Sequence, residues 1–463
     1  MLQKFKNTFI GDREFYKKVI FLLLPMVFQN AITSFVSFLD NIMVGQIGTE
    51  EMTGVAIVNQ LIFVFNISVF GGVSGAGIFG TQFFGKNDHT GHKYTFRFKI
   101  YVCTVISLAA YLLFKYFPKE IISLYLSDSG EIGDVALTLK YAEEYLYIML
   151  ISLLPFAIGQ AYVSTMRETG QSLVPMISSV IAVLTNLVLD YAFIFGKLGF
   201  PEMGVKGAAI ATVIAKIFES VIVVVWVHLR KNENKYIIGA YKSFRVPKNI
   251  CKDILIKGTP LMANEMIWAI GFAVITQCYA VRGLEALAAY NIASTIGNLF
   301  NIVYIQIGVC ISIMVGQYLG AGKLKEAKEI NTKLIFFAVS CCIVLGIIMI
   351  MLGGLFPKLY NTEPQIKALA KTLIIITAAV MPVHAFTHSA YFTLRSGGKT
   401  GVTFLLDSVY SWVFWIPVAY LLANFTTLSI EMVYLIVQLT EFVKATIGFF
   451  LVKSDIWLNT IVE

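Results

Sequence analysis

Charged residues are scarce in this sequence of 463 residues. Lysine, arginine, aspartate and glutamate make up 14% of it, whereas hydrophobic residues make up 57%. Soluble domains carry about 25% charged residues, so the deficit excludes an ordinary soluble protein. The mean hydropathy of +0.75 agrees with this. We therefore predict an integral membrane protein whose main partner is the lipid bilayer.

The sequence also lacks the motifs that many enzymes and metal-binding proteins need. Its six cysteines form no CxxC pair and lie mostly in apolar runs, which is typical of small buried side chains. It has no P-loop for ATP, no nucleophile–base pair and no metal-binding acid cluster at a membrane face. A membrane-embedded enzyme is therefore the weakest functional hypothesis, and we expect no cofactor.

Acidic residues are outnumbered by basic ones, 28 to 36, which gives a net charge of +8. Such an excess can indicate nucleic-acid binding. In a membrane protein it more often reflects basic loops on the cytoplasmic side. We therefore expect no nucleic-acid partner.

Long apolar runs predict twelve membrane-spanning helices, because about 20 apolar residues cross the hydrocarbon core as a helix. Basic residues concentrate in residues 1–18, 85–99, 228–257 and 320–333, all on one side of this topology. The positive-inside rule then places both termini and the long connector in the cytoplasm of a cell whose cytoplasmic membrane holds the protein. The predicted spans are 16–40, 53–80, 96–117, 141–163, 173–195, 206–229, 254–280, 287–315, 333–356, 369–392, 402–423 and 431–452.

The two halves of the chain resemble each other in sequence. Matches at proline, glycine, asparagine and glutamine, at one fixed offset, favour an internal repeat over chance similarity between apolar helices. A shift of 235 residues pairs Pro25 with Pro260, Gly48 with Gly283, Glu50 with Glu285, Asn66 with Asn301, Gln82 with Gln317 and Gly85 with Gly320.

The repeat predicts an all-α membrane fold of two six-helix lobes. We expect an N-terminal lobe at residues 1–229, a cytoplasmic connector at 230–253 and a C-terminal lobe at 254–463. A repeat with an even number of spans keeps its orientation in the membrane. The lobes should therefore be related by a pseudo-two-fold axis along the membrane normal, as in transporters that carry a ligand between or inside rocking lobes.

An acidic residue lies inside the fifth span. Asn186 and Asp190 are four residues apart, so on a helix they share one face. A carboxylate near the centre of a spanning helix costs roughly 2.5–3.5 kcal/mol. Such a residue usually binds an ion, a proton or a charged ligand, although a structural hydrogen bond or a salt bridge to a neighbouring helix stays open.

Four motifs of the sequence occur at helix ends and within helices. They are Pro25-Met-x-x-Gln29, Phe38-Leu-Asp40-Asn-Ile-Met-Val-Gly45, Met166-Arg-Glu-Thr-Gly170-Gln171 and Gly204-Val-Lys-Gly207. In combination they resemble the motifs of the multidrug and toxic compound extrusion (MATE) transporters, and the resemblance extends over all twelve spans and the repeat. One motif departs from the family, because Gln171 stands where the family turn usually has an acid.

The resemblance implies efflux of amphipathic, often cationic compounds, driven by inward Na⁺ or H⁺. It also implies a cation site in the N-terminal lobe made of Asp40, Asn186 and Asp190, with Thr212 as a fourth oxygen ligand. Carboxylate, amide and hydroxyl oxygens suit a hard cation such as Na⁺. Two nearby acids can instead share a proton, so the sequence leaves the coupling ion open. We expect a monomer with no other metal.

The C-terminal half offers a second set of polar residues. Glu265 lies in the region of a family glutamate on the seventh span, whereas the family aspartate on the tenth span is replaced by the segment His384-Ala-Phe-Thr-His388. A zinc site at the two histidines is disfavoured, because no cysteine or acid lies close by in sequence. We expect a polar cavity lined by Asn264, Glu265, His384, His388 and Asp407, with a structural role for Asp407 equally open.

Two further charge pairs have the (i, i+3) spacing of helix neighbours. Lys216 precedes Glu219 on the sixth span, and Glu441 precedes Lys444 on the twelfth, so the charges are swapped between the halves. We expect each pair to neutralise itself as a structural ion pair. A gating link between lobes is the alternative.

The run Gly75-Ala-Gly77-Ile-Phe-Gly80 matches the GxGxxG dinucleotide fingerprint literally. That fingerprint needs a strand before it and a helix after it, whereas this run lies inside the second span. Close packing of helices through small residues is the better interpretation.

A flippase for lipid-linked sugars, on a related fold, is the main alternative to an antiporter. A flippase should line its cavity with several arginines and lysines that meet a pyrophosphate. Within the predicted spans we expect only Lys216 and Lys444 in such positions, each beside a glutamate. The antiporter is therefore favoured.

Overall fold

The structure, a computed structural model, describes residues 2–126 and 134–462, and every regular element in these ranges is helical. Twelve of the helices are long and apolar enough to span a membrane. We number them α1 to α12. They run Arg13–Gly45, Thr49–Gly85, His89–Tyr116, Val135–Glu168, Leu173–Ile194, Val205–Leu229, Lys248–Ala280, Leu284–Gly320, Leu324–Leu352, Pro364–Ser396, Thr400–Phe425 and Ile430–Lys453.

All twelve predicted spans fall on these helices, so the predicted all-α membrane fold is confirmed. The helices are longer than the apolar runs: α2 has 37 residues and α8 also has 37. Hydropathy detects only the segment inside the hydrocarbon, whereas backbone hydrogen bonds continue through the polar ends. Two short helices, Leu2–Phe9 and Pro118–Leu126, were not predicted because they are shorter than a span.

Five of the spanning helices contain a proline beyond their first turn, at Pro25, Pro155, Pro260, Pro382 and Pro417. Each proline removes one backbone hydrogen bond from its helix and favours a bend there. Pro25 and Pro260 occupy matching positions of the repeat. Helices α1 and α7 therefore each lack a backbone hydrogen bond, and can bend, at the same place in the repeat.

The ends of α4 and α10 show the repeat in local geometry. Gly170 and Gly398 follow these helices with φ values of +82° and +72°. Their backbone N–H groups donate to the carbonyls of Arg167 and Arg395, at 2.9 Å in both cases. A helix can end on a residue with a positive φ value without backbone strain when that residue is glycine. Residues 165–170 and 393–398, which share the pattern Thr-x-Arg-x-x-Gly, are therefore two copies of one helix-ending turn.

The chain forms two compact units, residues 24–80 with 89–254, and residues 1–23 with 81–88 and 255–463. In the first unit α2, α4 and α6 pack their apolar faces, with Val58, Phe65, Leu146 and Ala209 in the core. In the second unit the core lies among α7, α8, α10 and α12 and includes Tyr279, Tyr290, Leu373, Ile374 and Val433. The units differ from the predicted lobes at the start of α1 and the end of α2.

The side chain of Gln82 anchors the end of α2 in the second unit. Its side-chain amide donates to the carbonyls of Ser396 (3.0 Å) and Asn459 (3.2 Å), and its oxygen accepts from the N–H of Ile461 (2.8 Å). A Cβ at Gly85 would overlap the carbonyl of Gln317, which is the repeat partner of Gln82. The absence of a side chain at Gly85 therefore lets α2 and α8 approach closely.

The connector between α6 and α7 is anchored within the first unit. Arg97 on α3 donates to the carbonyls of Gly239, Ala240 and Arg245 at 2.7–3.0 Å. The side chain of Tyr236 is buried against α3 and α4. The connector is therefore a folded part of this unit between residues 230 and 247.

Candidate functional site

An acidic pair, of which Asp190 is buried and Asp40 half-buried, lies in the first unit. Asp190 on α5 is 2% exposed and Asn186, one turn earlier, is also buried. Asp40 comes from the end of α1, and its carboxyl group is within side-chain hydrogen-bonding reach of Asp190. The Asn186 amide lies beside the carboxyl group of Asp190. The helical spacing of Asn186 and Asp190 thus puts both side chains on the face that meets Asp40.

The acidic pair has unused oxygen atoms. Oδ1 of Asp40 and Oδ1 of Asp190 are both buried, and neither has a hydrogen-bond partner among the described residues. Neither carboxyl group forms an ion pair with a basic side chain in the described part of the chain. Buried carboxylate oxygens without a partner are costly. A cation between the two carboxyl groups, or a shared proton, would satisfy them.

A tyrosine completes the surroundings of the pair. Tyr145 on α4 is buried and interacts electrostatically with Asp40 and Asp190. Its hydroxyl donates to Oδ1 of Asn59, at 3.5 Å. Thr212 lies on α6 of the same unit, but it makes no hydrogen bond to either acid in the described part of the chain. Sequence reasoning missed Tyr145, because one tyrosine among 22 in apolar runs carries no signal of its own.

A line of polar side chains crosses the same unit closer to α6. Arg167 donates to Gln29 at 2.7 Å, Gln29 donates to Ser179 at 2.6 Å, and Ser179 donates to Glu219. The expected ion pair between Lys216 and Glu219 does not form within 4.0 Å in the described part of the chain. The ammonium group of Lys216 instead lies 5.1 Å from the ring centre of Phe156. Ser179 gives Glu219 a closer partner than the lysine one turn away.

The glycines of the literal GxGxxG run face a buried glutamate. A Cβ at Gly80 would overlap the carboxylate of Glu168, and a Cβ at Gly77 would lie 3.1 Å from it. Glu168 forms an ion pair with Lys99 and lies 3.3 Å from Nε2 of His92, and both residues are buried on α3. The run therefore serves close helix packing around a buried charge. Lys99, which we assigned to a basic loop, is fully buried inside α3.

A second acidic pair lies in the other unit and holds a lysine. Nζ of Lys444 lies 2.7 Å from Oδ1 of Asp407 and 3.9 Å from Oε1 of Glu441. Asn264 donates to Oδ2 of Asp407 at 2.9 Å and accepts from Ser408 at 2.6 Å. The expected contact between Glu441 and Lys444 is present, but the shorter partner of Lys444 is Asp407.

The Glu441 carboxylate has further partners on α10. It accepts a hydrogen bond from Thr387 at 2.6 Å and lies 3.6 Å from Nδ1 of His384. The other ring nitrogen of His384 is 3.0 Å from the side-chain oxygen of Gln438. His384 is therefore a member of the lysine-centred network, held by two residues of α12.

The other residues predicted for the C-terminal cavity lie at the edge of this network. Glu265 interacts electrostatically with Arg395 and Asp407. His388 packs edge-on against Tyr304, with ring centres 4.9 Å apart. The described residues contain no group of three or more His, Cys, Asp or Glu arranged to hold a metal ion. Asn264, His384 and Asp407 are thus brought together, whereas Glu265 and His388 flank them.

The chain is similar to known membrane proteins along most of its length. The MatE family model matches residues 25–192 and 260–421. A probable multidrug resistance protein NorM of Thermotoga maritima is 24% identical over 442 residues, covering 92% of this chain and 90% of that protein. A NorM protein of Halalkalibacterium halodurans is 26% identical over 418 residues, covering 89% and 88%. The crystal structure of a MATE in the bent conformation has a TM-score of 0.85 at 18% identity, covering 96% and 95% of the two chains.

Proposed function

This chain belongs to the MatE family of membrane transporters, and on that premise we propose that it is a cation-coupled antiporter that exports amphipathic, often cationic drugs. The substrate class comes from relatives described as multidrug resistance proteins. We further propose, from the positive-inside rule, that both termini face the cytoplasm. We also propose that the protein acts as a monomer in the cytoplasmic membrane.

The observation that carries the proposal is the acidic pair of the first unit. Asp40 and Asp190 meet inside a membrane-spanning unit with buried oxygen atoms that no described residue satisfies. We propose Asn186, which lies beside Asp190, as a third ligand and Thr212 on α6 as a fourth. This donor set fits either Na⁺ or a proton shared by two acids. The cation is cargo, bound from one side of the membrane and released on the other.

Coupling requires that cation and drug prefer different states of the protein. We propose that the cation binds Asp40 and Asp190 from outside and draws α1 and α5 together. This repacks the helices around the drug cavity of the N-terminal lobe and lowers drug affinity there. A ligand bound equally in both states would shift no population. Drug therefore leaves outward, and the cation leaves inward when the lobes change the side on which they are open.

Ethidium efflux from membrane vesicles tests this proposal, with Na⁺ and pH gradients imposed separately. We expect one of the two gradients to drive efflux, and Asp190→Asn to abolish the response. Asp253→Asn is the matched control, because Asp253 is an exposed aspartate at the start of α7. Intact gradient-driven efflux in Asp190→Asn would overturn the proposed site. No response to either gradient in the native protein would favour the flippase alternative.

A further inference from the structure

The two acidic pairs combine similar residue types. The first unit brings together Asp40, Asp190 and the side-chain amide of Asn186. The second unit also combines two carboxylates and one asparagine amide, and it adds one threonine hydroxyl. Those four residues are Asp407, Glu441, Asn264 and Thr387.

The main difference between the two sets is the ammonium group of Lys444, which only the second set contains. Lys444 contacts both acids of the second set, at 2.7 Å and 3.9 Å. Both oxygens of Asp407 are used, one by Lys444 and one by Asn264. No atom of Asp407, Glu441 or Lys444 is among the buried unpartnered atoms of the described chain. The second set is therefore satisfied by the protein itself.

Lysine and Na⁺ carry the same charge but differ in how they reach the site. A side chain held on the same helix as Glu441 is present at a high effective concentration, whereas a free cation must come from solution. Lys444 is also buried, so its charge needs the two carboxylates as much as they need it. Exchange of Lys444 for a solution cation would leave that charge without a partner.

The local helix geometry supports a specialised role for this set. Asp407 lies in a π-helical turn, Leu405–Val409, and a second π-helical turn follows at Ser411–Trp415. Such turns are rare and occur frequently at functional sites. They change the direction in which α11 presents its side chains and place Asp407 against Lys444, which is 37 residues later in the chain.

We propose that Lys444 is a tethered cation that permanently fills the acidic pair of the second unit. Asp407 and Glu441 then exchange neither Na⁺ nor H⁺, and the first unit alone carries the coupling ion. The inference deepens the proposed function and rests on it. It also makes Lys444 a residue that determines how many cations accompany each drug molecule.

Other titratable groups surround this set and have to be considered in any pH-dependent measurement. His384 faces Glu441, and His388 interacts electrostatically with Asp407. Glu265 and Arg395 interact with each other near Asp407, and Tyr410 interacts with Glu441. These groups are retained in every variant below, so differences between variants report on Lys444 and its two acids.

The test removes the lysine in a background without the first site. Thermal unfolding of purified Asp40→Asn/Asp190→Asn protein is compared in Na⁺ and in choline, at several pH values, with and without Lys444→Met. A cation that binds only the folded state raises the melting temperature. We expect Lys444→Met to create a new dependence on Na⁺ or on low pH that the background lacks. Lys444→Arg, which retains the charge, should create none.

Each outcome bears on the proposal separately from the proposed function. A cation response of the background protein that Asp407→Asn removes would overturn the tethered cation, because the pair would then exchange ions with Lys444 in place. Identical behaviour of Lys444→Met and Lys444→Arg would overturn it as well. Failure of the proposed function would instead appear as native protein that responds to no cation.

Chemical rescue provides a second measurement if Lys444→Met folds poorly. Ethylammonium added to Lys444→Ala protein can place a free ammonium group where the side chain ended. We expect it to raise the melting temperature of Lys444→Ala but not of Asp407→Asn/Glu441→Gln/Lys444→Ala. Equal effects on both variants would contradict the proposal.

Discussion

The acidic pairs of the two units differ in what neutralises them. Asp40 and Asp190 meet with unpartnered oxygen atoms, whereas Asp407 and Glu441 share the ammonium group of Lys444. Among the described residues, the chain therefore supplies a basic side chain to the second pair and none to the first. The comparison teaches that two halves related by a sequence repeat can place and neutralise their acidic residues differently.

Burial makes this difference consequential. In the low dielectric of a membrane protein an unpaired charge is far more costly than in water. A pair of acids must therefore acquire a cation or a proton, and where that charge comes from decides whether it can be exchanged. We propose that the first pair takes it from solution and thereby couples transport to a gradient. In the second pair the ammonium group of Lys444 supplies it from the chain.

The largest expected effect comes from Asp190→Asn, which removes the first pair. Gradient-driven ethidium efflux should fall at least about tenfold, equivalent to ~1.4 kcal/mol or more of lost cation affinity. Vesicle efflux measured beside the Asp253→Asn control checks this. If Asp407→Asn reduced the gradient response in the same way while the protein stayed folded, the comparison between the two pairs would fail.

Lys444→Met should affect stability more than coupling. Removing one partner of a buried ion pair costs about 3–5 kcal/mol, because the remaining charge is left buried. The charge-matched double variant Asp407→Asn/Lys444→Met should recover part of this loss. Chemical denaturation in detergent measures the free energy of unfolding of the single and the double variant. Equal stability of the single and double variants would show that Asp407 does not depend on Lys444.

Tyr145→Phe sharpens the description of the first pair. The substitution removes one buried hydroxyl that interacts electrostatically with both acids, and it leaves the ring in place. Loss of one hydrogen-bonding group costs about 0.5–1.5 kcal/mol, so apparent cation affinity should weaken a few-fold. The cation concentration that gives half-maximal efflux checks it. Unchanged affinity would place Tyr145 outside the site.

The smallest expected effect comes from His384→Gln in the second unit. His384 lies 3.6 Å from Glu441, while Thr387 and Lys444 also hold that carboxylate. Glutamine can replace the hydrogen bond, so stability should change by less than ~1 kcal/mol. The melting temperature measures this. A large loss would mean that His384, rather than Lys444, neutralises Glu441.

Local spacing accounts for part of the first site and for little of the second. Asn186 and Asp190 are neighbours on one helix, so spacing alone puts them on one face. Asp40 lies on another helix, and only the family resemblance pointed to it. The partner of Lys444 is Asp407 on another helix, and (i, i+3) spacing pointed only to Glu441. Packing between helices, and the π-helical turns of α11, decide that contact. Hydropathy contains no information on either.

Packing between helices also explains why the ion pair expected between Lys216 and Glu219 on α6 does not form. Lys216 and Glu219 have the spacing of an ion pair, yet Ser179 on α5 contacts Glu219 and the ring of Phe156 lies beneath Lys216. The twelve spans could be predicted because hydrophobicity sets them one helix at a time. Which polar side chains meet depends on how helices pack, and a single sequence does not specify that.

Cation release on drug binding tests the central claim most directly. Ethidium is added to purified protein in weakly buffered solution, while a Na⁺ electrode and a pH indicator record released ions. Because binding linkage is reciprocal, a drug that opposes the cation must displace it. We predict release of Na⁺ or H⁺ from the native protein and none from Asp40→Asn/Asp190→Asn. Release that persists in this variant and disappears in Asp407→Asn would contradict the assignment of the coupling ion to the first pair.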